Sequence, residues 1–114
     1  MKSETREISG VTIIDLKGNI RTNEDYAGFK QCIDSAIAEG KSKLVLNFKE
    51  VSFINSSGLG RLVLAAKKAK ENEGALKVVN LSTDLRELFS FTRLDAKIPV
   101  VDTEEKAVEE FASA

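Results

Sequence analysis

The sequence predicts an α/β domain, with a mixed sheet of four or five strands and about four helices packed against it. Three observations carry this. Short runs rich in β-branched and aliphatic residues alternate with longer segments whose apolar residues recur at helical spacing, the order expected of a largely parallel sheet with right-handed helical crossovers. Turn residues at Ser9-Gly10, Gly18-Asn19, Gly40 and Gly74 punctuate the alternation, and no linker, repeat or low-complexity stretch interrupts it. The length of 114 residues is that of one domain, so a single unit over 1–114 is expected. A chain of this size can bury about two-thirds of its surface, enough for a core without disulfides or metals.

Thr5–Ser9 is a weak extended segment. It can turn at Ser9-Gly10 into Val11–Lys17 (VTIIDLK), a β-branched run that reads as a strand, and the two suggest an antiparallel hairpin. Thr22 can cap a helix, with Glu24 and Asp25 in its positive first turn. Tyr26, Phe29, Ile33, Ala36 and Ile37 then recur at helical spacing with Cys32 beside them, giving a helix from about Asn23 to Glu39 that Gly40 ends. Lys43–Phe48 (KLVLNF) reads as a buried strand, Val51–Ile54 as the approach to a turn, and Asn55-Ser56-Ser57-Gly58 as the turn.

Leu59, Leu62, Val63, Ala66 and Ala69 define a helix from about Gly58 to Glu73, whose polar face carries Arg61, Lys67, Lys68, Lys70 and Glu71. Ala75–Val79 is the next strand. Ser82 or Asp84 caps a short helix bearing Leu85, Leu88 and Phe89. Lys97–Val101 reads as a strand whose proline places it at an edge or an end. Asp102 and Glu105 form a capping-box variant before a last amphipathic helix with Val108 and Phe111 on one side. The order is β-β-α-β-α-β-α-β-α. The expected core is Ile13, Ile14, Leu16, Phe29, Ile33, Val45, Leu46, Leu62, Val63, Val78, Leu88 and Phe89.

Composition narrows the function. With 17 basic and 18 acidic residues the net charge is −1, so there is no general pull on nucleic acid or an anionic membrane surface. The chain has no histidine, which removes Ser-His-Asp and Cys-His nucleophile systems and the usual zinc and iron ligand sets; no metal or cofactor is expected. One cysteine makes no internal disulfide, and Cys32 is expected as a packed core thiol in a reducing compartment. MKSETREISG lacks the apolar stretch of a signal peptide, and no run approaches the roughly 18 apolar residues of a membrane span, so a cytoplasmic protein is expected.

The chemical focus is Val51–Leu64, VSFINSSGLGRLVL, where a strand ends and small polar residues lead into a helix. Ligands and partners of open α/β sheets favour loops at the carboxyl ends of strands, and free amides with the helix dipole favour negative charge there. Gly58-Leu59-Gly60-Arg61-Leu62-Val63 lacks the third glycine of a dinucleotide loop, and no GxxxxGK[ST] is present, which argues against nucleotide binding. Two readings remain: serine caps with turn glycines, or a phosphoacceptor serine at Ser56, with Ser57 the secondary candidate. Phosphate at a helix start adds about −1.5 to −2 charges that the helix end tolerates, so such a change alters docking rather than folding. Gly58 and Gly60 suggest close helix–strand approach or a sharp turn. Arg61, one turn on, reads either as a contact to a phosphate or a partner or as an ordinary exposed surface residue. Lys67, Lys68 and Lys70 read as a solvated helix face, with partner steering the functional alternative, and Asp102, Glu104 and Glu105 as charge at a helix start rather than a metal site.

The segments VTIIDLKGNI, KLVLNF, FINSSGLGRLV, ALKVVN and LFSFTRLDAKIPV, in this order, resemble the STAS domain of the bacterial anti-sigma factor antagonist class across nearly the whole chain. In that family the serine after the acidic residue of a DSSGLG-type loop is phosphorylated, and this position matches Ser56. The resemblance implies a substrate and binding partner, not an enzyme. Its partner would be an anti-sigma factor that is also a serine kinase, bound when Ser56 is unmodified and released on phosphorylation, with a serine phosphatase resetting the cycle. Asn55, Ser57, Gly58, Leu59, Gly60 and Arg61 would form the switch loop and partner surface. Asn55 stands where the family carries Asp. That uncharged residue favours an alternative: a constitutive STAS interaction module in another partner-switching circuit or a transport-related assembly.

Overall fold

A computed structural model describes residues 1–112. The chain runs β1 (Lys2–Ile8), β2 (Val11–Lys17), α1 (Asn23–Ala38), β3 (Lys43–Glu50), α2 (Ser56–Glu71), β4 (Ala75–Val79), α3 (Thr83–Phe91), a 3-10 turn (Leu94–Ala96), β5 (Val100–Val101) and α4 (Glu104–Ala112). The order of strands and helices read from the sequence is the order observed.

The five strands lie in sequence order, β1-β2-β3-β4-β5. Ser9 (φ 52°) and Gly10 (φ 80°) both adopt left-handed backbone, as a two-residue hairpin turn requires, and β1 and β2 pair antiparallel. The remaining pairs are parallel, each joined through a helix. Side chains alternate between faces, so β3 sends Leu44, Leu46 and Phe48 to one side and Val45 to the other. The first side packs on α1, α2 and α3 through Phe29, Ile33, Leu62, Ala65, Leu85 and Phe89. The second packs on α4 through Ala107, Val108 and Phe111. Phe48 and Phe89 meet edge-to-face, centroids 6.3 Å apart, which fixes α3 on β3.

Several expectations are corrected. β1 begins at Lys2, because its pairing with β2 extends to Lys2↔Lys17, and backbone pairing does not need an apolar run. The last strand is only Val100–Val101: residues 94–96 close a 3-10 turn, and Pro99 stands at the strand's start. The cap of α4 is Thr103, whose Oγ1 accepts from the Lys106 amide at 3.1 Å. Asp102 instead accepts from Arg86, and Glu104 with Asp15 receives the Arg6 guanidinium. Val63, Ala66 and Leu88 pack on the core only partly buried, and α2 also buries Ala65.

Candidate functional site

The loop between β3 and α2 is held by its neighbour, not by Ser56 or Ser57. Its partner is the segment from Gly18 to Thr22, which joins β2 to α1. The Asn19 Oδ1 accepts from the Ser52 amide, the Ser52 hydroxyl and the Phe53 amide, each at 3.1 Å. The Ile20 amide donates to the Phe53 carbonyl, and the Asn55 amide donates to the Ile20 carbonyl, both at 3.1 Å. Ile20 and Ile54 form a parallel bridge and are buried beneath it. The Val51, Ser52, Phe53 and Asn55 amides and the Phe53 carbonyl are thus paired before α2 starts.

Asn55 is the cap of α2. Its Oδ1 accepts from the Gly58 amide and from the Tyr26 hydroxyl, both at 2.8 Å, and its Nδ2 donates to the Arg21 carbonyl at 3.1 Å. The backbone partners fix the amide's orientation: a peptide N–H can only meet oxygen, and a carbonyl can only meet NH₂. An aspartate would satisfy two of these three bonds and oppose the third. The cap is therefore an asparagine that uses both ends of its amide.

Ser56 and Ser57 follow as the first two residues of α2, both exposed. The helix starts two residues earlier than the sequence spacing suggested, because Asn55, not a serine, takes the capping bond. First-turn amides have no acceptor within their helix, so the Ser56 and Ser57 N–H groups remain for an outside anion. The first turn of α2 holds no acidic residue, whereas α1, α3 and α4 carry Glu24 and Asp25, Asp84, and Glu104 and Glu105 there.

The two glycines differ. A Cβ on Gly58 would stand 2.6 Å from Ile54 Cγ1, 2.9 Å from Ile20 Cγ2 and 3.0 Å from the Ile20 carbonyl oxygen, so this glycine allows α2 to press on the loop. A Cβ on Gly60 would meet nothing within 4 Å. The close-approach expectation therefore holds for Gly58 and fails for Gly60. Four residues after Ser56, Gly60 instead leaves the surface beside the serine low. Leu59 is buried, an anchor of α2 rather than a surface contact, and Gly58 is buried with it. Arg61 is exposed, with its guanidinium 5.0 Å above the Tyr26 ring. The lysines are not a uniform solvated face: Lys68 is half-buried and paired with Asp34.

Sequence reasoning missed Tyr26 and Asn19 as site residues. Tyr26 belongs to the apolar stripe of α1, and only its hydroxyl signals a polar partner; Asn19 reads as a strand terminator. Cys32 is half-buried, donates to the Phe29 carbonyl at 3.1 Å, and has its thiol pushed up by burial.

Comparison with known proteins agrees with this architecture. Residues 2–107 match the STAS domain family. The chain is 25% identical over 114 residues to a Bordetella bronchiseptica protein named as anti-sigma factor antagonist BtrV, covering all of this chain and 97% of that protein. It is 37% identical over 73 residues to the anti-sigma-B factor antagonist of Bacillus subtilis, covering 64% of this chain and 67% of that protein. Among solved structures, an anti-sigma factor antagonist from Mycobacterium paratuberculosis superposes with a TM-score of 0.85 at 23% identity, covering 97% of this chain and 93% of that one. The chain belongs to the STAS domain family.

Proposed function

We propose that the protein is an anti-sigma factor antagonist whose binding is toggled at Ser56. Unmodified, it binds an anti-sigma factor that is also a serine kinase. Phosphorylation of Ser56 releases it, and a serine phosphatase restores it. The chain is the substrate and the binding partner, and its cofactor-dependent chemistry lies on the kinase. The observation that carries this reading is the setting of Ser56: exposed at the first position of a helix whose opening turn has no acid, with Gly60 leaving the approach clear. The names of the two relatives supply the partner class. A cytoplasmic setting fits this role; among the described residues no helix is long and apolar enough to cross a membrane.

The physical effect is local. A phosphoserine places about −1.5 to −2 charges at the positive end of α2, an interaction worth roughly 0.3–1 kcal/mol to the helix. The fold tolerates it, and a partner that needs a small neutral surface here does not. Ser57, next along and equally exposed, is the secondary acceptor.

Asn55 favours a second reading, a constitutive interaction module, because it lacks the family's charge beside the serine. One experiment separates the two. Wild type, Ser56→Ala and Ser56→Asp serve as baits in native lysate, with captured proteins identified by mass spectrometry. The switch predicts capture of an ATP-binding serine kinase by wild type and Ser56→Ala but not by Ser56→Asp, with Tm values within about 2 °C of one another. Capture of the same partner by all three establishes the constitutive module.

A further inference from the structure

A groove runs between α1 and α2 on the flank of the serine-bearing helix. Phe29, Ile33 and Ala65 line it, and Leu64 stands at its lip, 60% exposed. Its cavity is about 140 Å³. Small-molecule sites run to roughly 300–1,000 Å³, whereas a cavity of about 150 Å³ holds one benzene ring. The space therefore fits one large apolar side chain, not a metabolite.

The rim is cationic although the chain as a whole carries −1. Lys30, Arg61 and Lys68 border the groove against a single carboxylate, Asp34. Asp34 is already engaged by Lys30 at 2.7 Å and by Lys68. Arg61 is held only by the Tyr26 ring and has no carboxylate partner among the described residues. Lys67 adds a further exposed cation on α2.

We propose that this groove docks an acidic segment of a partner protein, which inserts one Phe or Leu against Ile33 and Leu64 and sets carboxylates on Arg61 and Lys68. Charge complementarity selects the acidic partner, and the volume selects a single side chain as its anchor. The proposal does not depend on the serine switch. Leu64 lies two helical turns beyond Ser57, and docking here requires no change at Ser56.

The test is an NMR titration of the full chain with three short synthetic helical peptides: one Phe flanked by glutamates, the same peptide with Phe→Ala, and the Phe peptide flanked by lysines. The Glu–Phe peptide is expected to shift the amides of Ile33, Leu64 and Ala65. Its affinity falls at least about tenfold with Phe→Ala and about fivefold with Arg61→Glu on the protein. Leu64→Gln, a change at an exposed position, abolishes those shifts while leaving Tm unchanged. Equal binding of the lysine peptide, shifts confined to another surface, or no shift at about 5 mM peptide overturns the proposal. So do groove shifts that grow with protein concentration alone and vanish in Phe91→Ser, since these would mean that the fully exposed Phe91 of a second copy fills the space.

Discussion

Replacing Asn55 by alanine removes three hydrogen bonds, and their separate costs can be counted. Loss of the cap on the Gly58 amide costs about 1 kcal/mol. The Tyr26 hydroxyl, on a residue only 8% exposed, is left without its acceptor, at about 1–2 kcal/mol. The Arg21 carbonyl is exposed and exchanges its partner for water at about no cost. The sum is roughly 2–3 kcal/mol, or about 8–12 °C in Tm for a domain of this size. Asn55→Asp keeps both acceptor bonds and gains about 0.3–1 kcal/mol from the helix end. It also turns an oxygen toward the Arg21 carbonyl at a solvated site, a cost of about 0.5–1.5 kcal/mol. It is therefore expected within about 4 °C of wild type. Thermal unfolding followed by circular dichroism at pH 7 measures both, and a cycle with Tyr26→Phe isolates the buried contact. In the wild-type background Tyr26→Phe costs about 1 kcal/mol; in the Asn55→Ala background it costs nothing or stabilises, because the stranded hydroxyl is gone. An Asn55→Ala shift under about 2 °C, or two additive single mutants, would refute the assignment of Asn55 as the hub of this loop.

Gly58→Ala and Gly60→Ala are expected to have opposite signs in urea denaturation. The first is destabilising by about 1–3 kcal/mol because its methyl meets Ile54 and the Ile20 backbone, and the second is stabilising by about 0.5–1 kcal/mol because its methyl is free and alanine favours the helix. Stabilisation by both would remove the close contact from the account. Asp25 is held down to about 2, first by the Arg21 amide and then by the Met1 amino group and Thr22. A depressed carboxylate contributes stability above its unfolded value near 4, and that contribution is lost as pH falls toward 2. The Tm difference between wild type and Asp25→Asn should accordingly be full at pH 6 and shrink between about pH 4 and 2; a pH-independent difference would show that the charge is irrelevant. The Cys32 thiol, raised by burial, is expected to react with iodoacetamide at least about tenfold more slowly in the native protein than in urea at the same pH, and equal rates would place it at the surface.

Most of the fold is legible in the sequence because periodicity and turn chemistry agree. The run VTIIDLK pairs on both sides, and every α-helix stripe read from spacing finds the sheet. The misread start of α2 has a specific cause. Leu59, Leu62, Val63 and Ala66 all pack on the core, fully or in part, so the phase of α2 is legible; only its start is not, because that depends on which residue caps it. Three consecutive residues, Asn55, Ser56 and Ser57, are all able caps. The choice is made by Tyr26 and Arg21, more than twenty residues away in sequence, whose hydroxyl and carbonyl suit an amide and not a hydroxyl. The same distance hides Asn19, whose three bonds to residues 52 and 53 leave no local pattern.

That division of labour bears on how such a loop can be switched. A side chain that caps a helix must rearrange its bonds to the first-turn amides when it is modified, and that changes the loop itself. Here the cap and the loop's pairing belong to Asn55, Asn19 and Ile20, and no hydroxyl of Ser56 or Ser57 bonds to another described residue. Chemistry at either serine therefore leaves every hydrogen bond of the loop in place. In the proposed switch its effect would fall on the exposed surface around the serines, beside Gly60 and Arg61. A serine that capped α2 would couple modification to a change in the cap itself. In the proposed switch a serine one position after the cap would separate the signal from the scaffold, and that separation is what Ser56→Asp, expected with an unchanged Tm, is designed to detect.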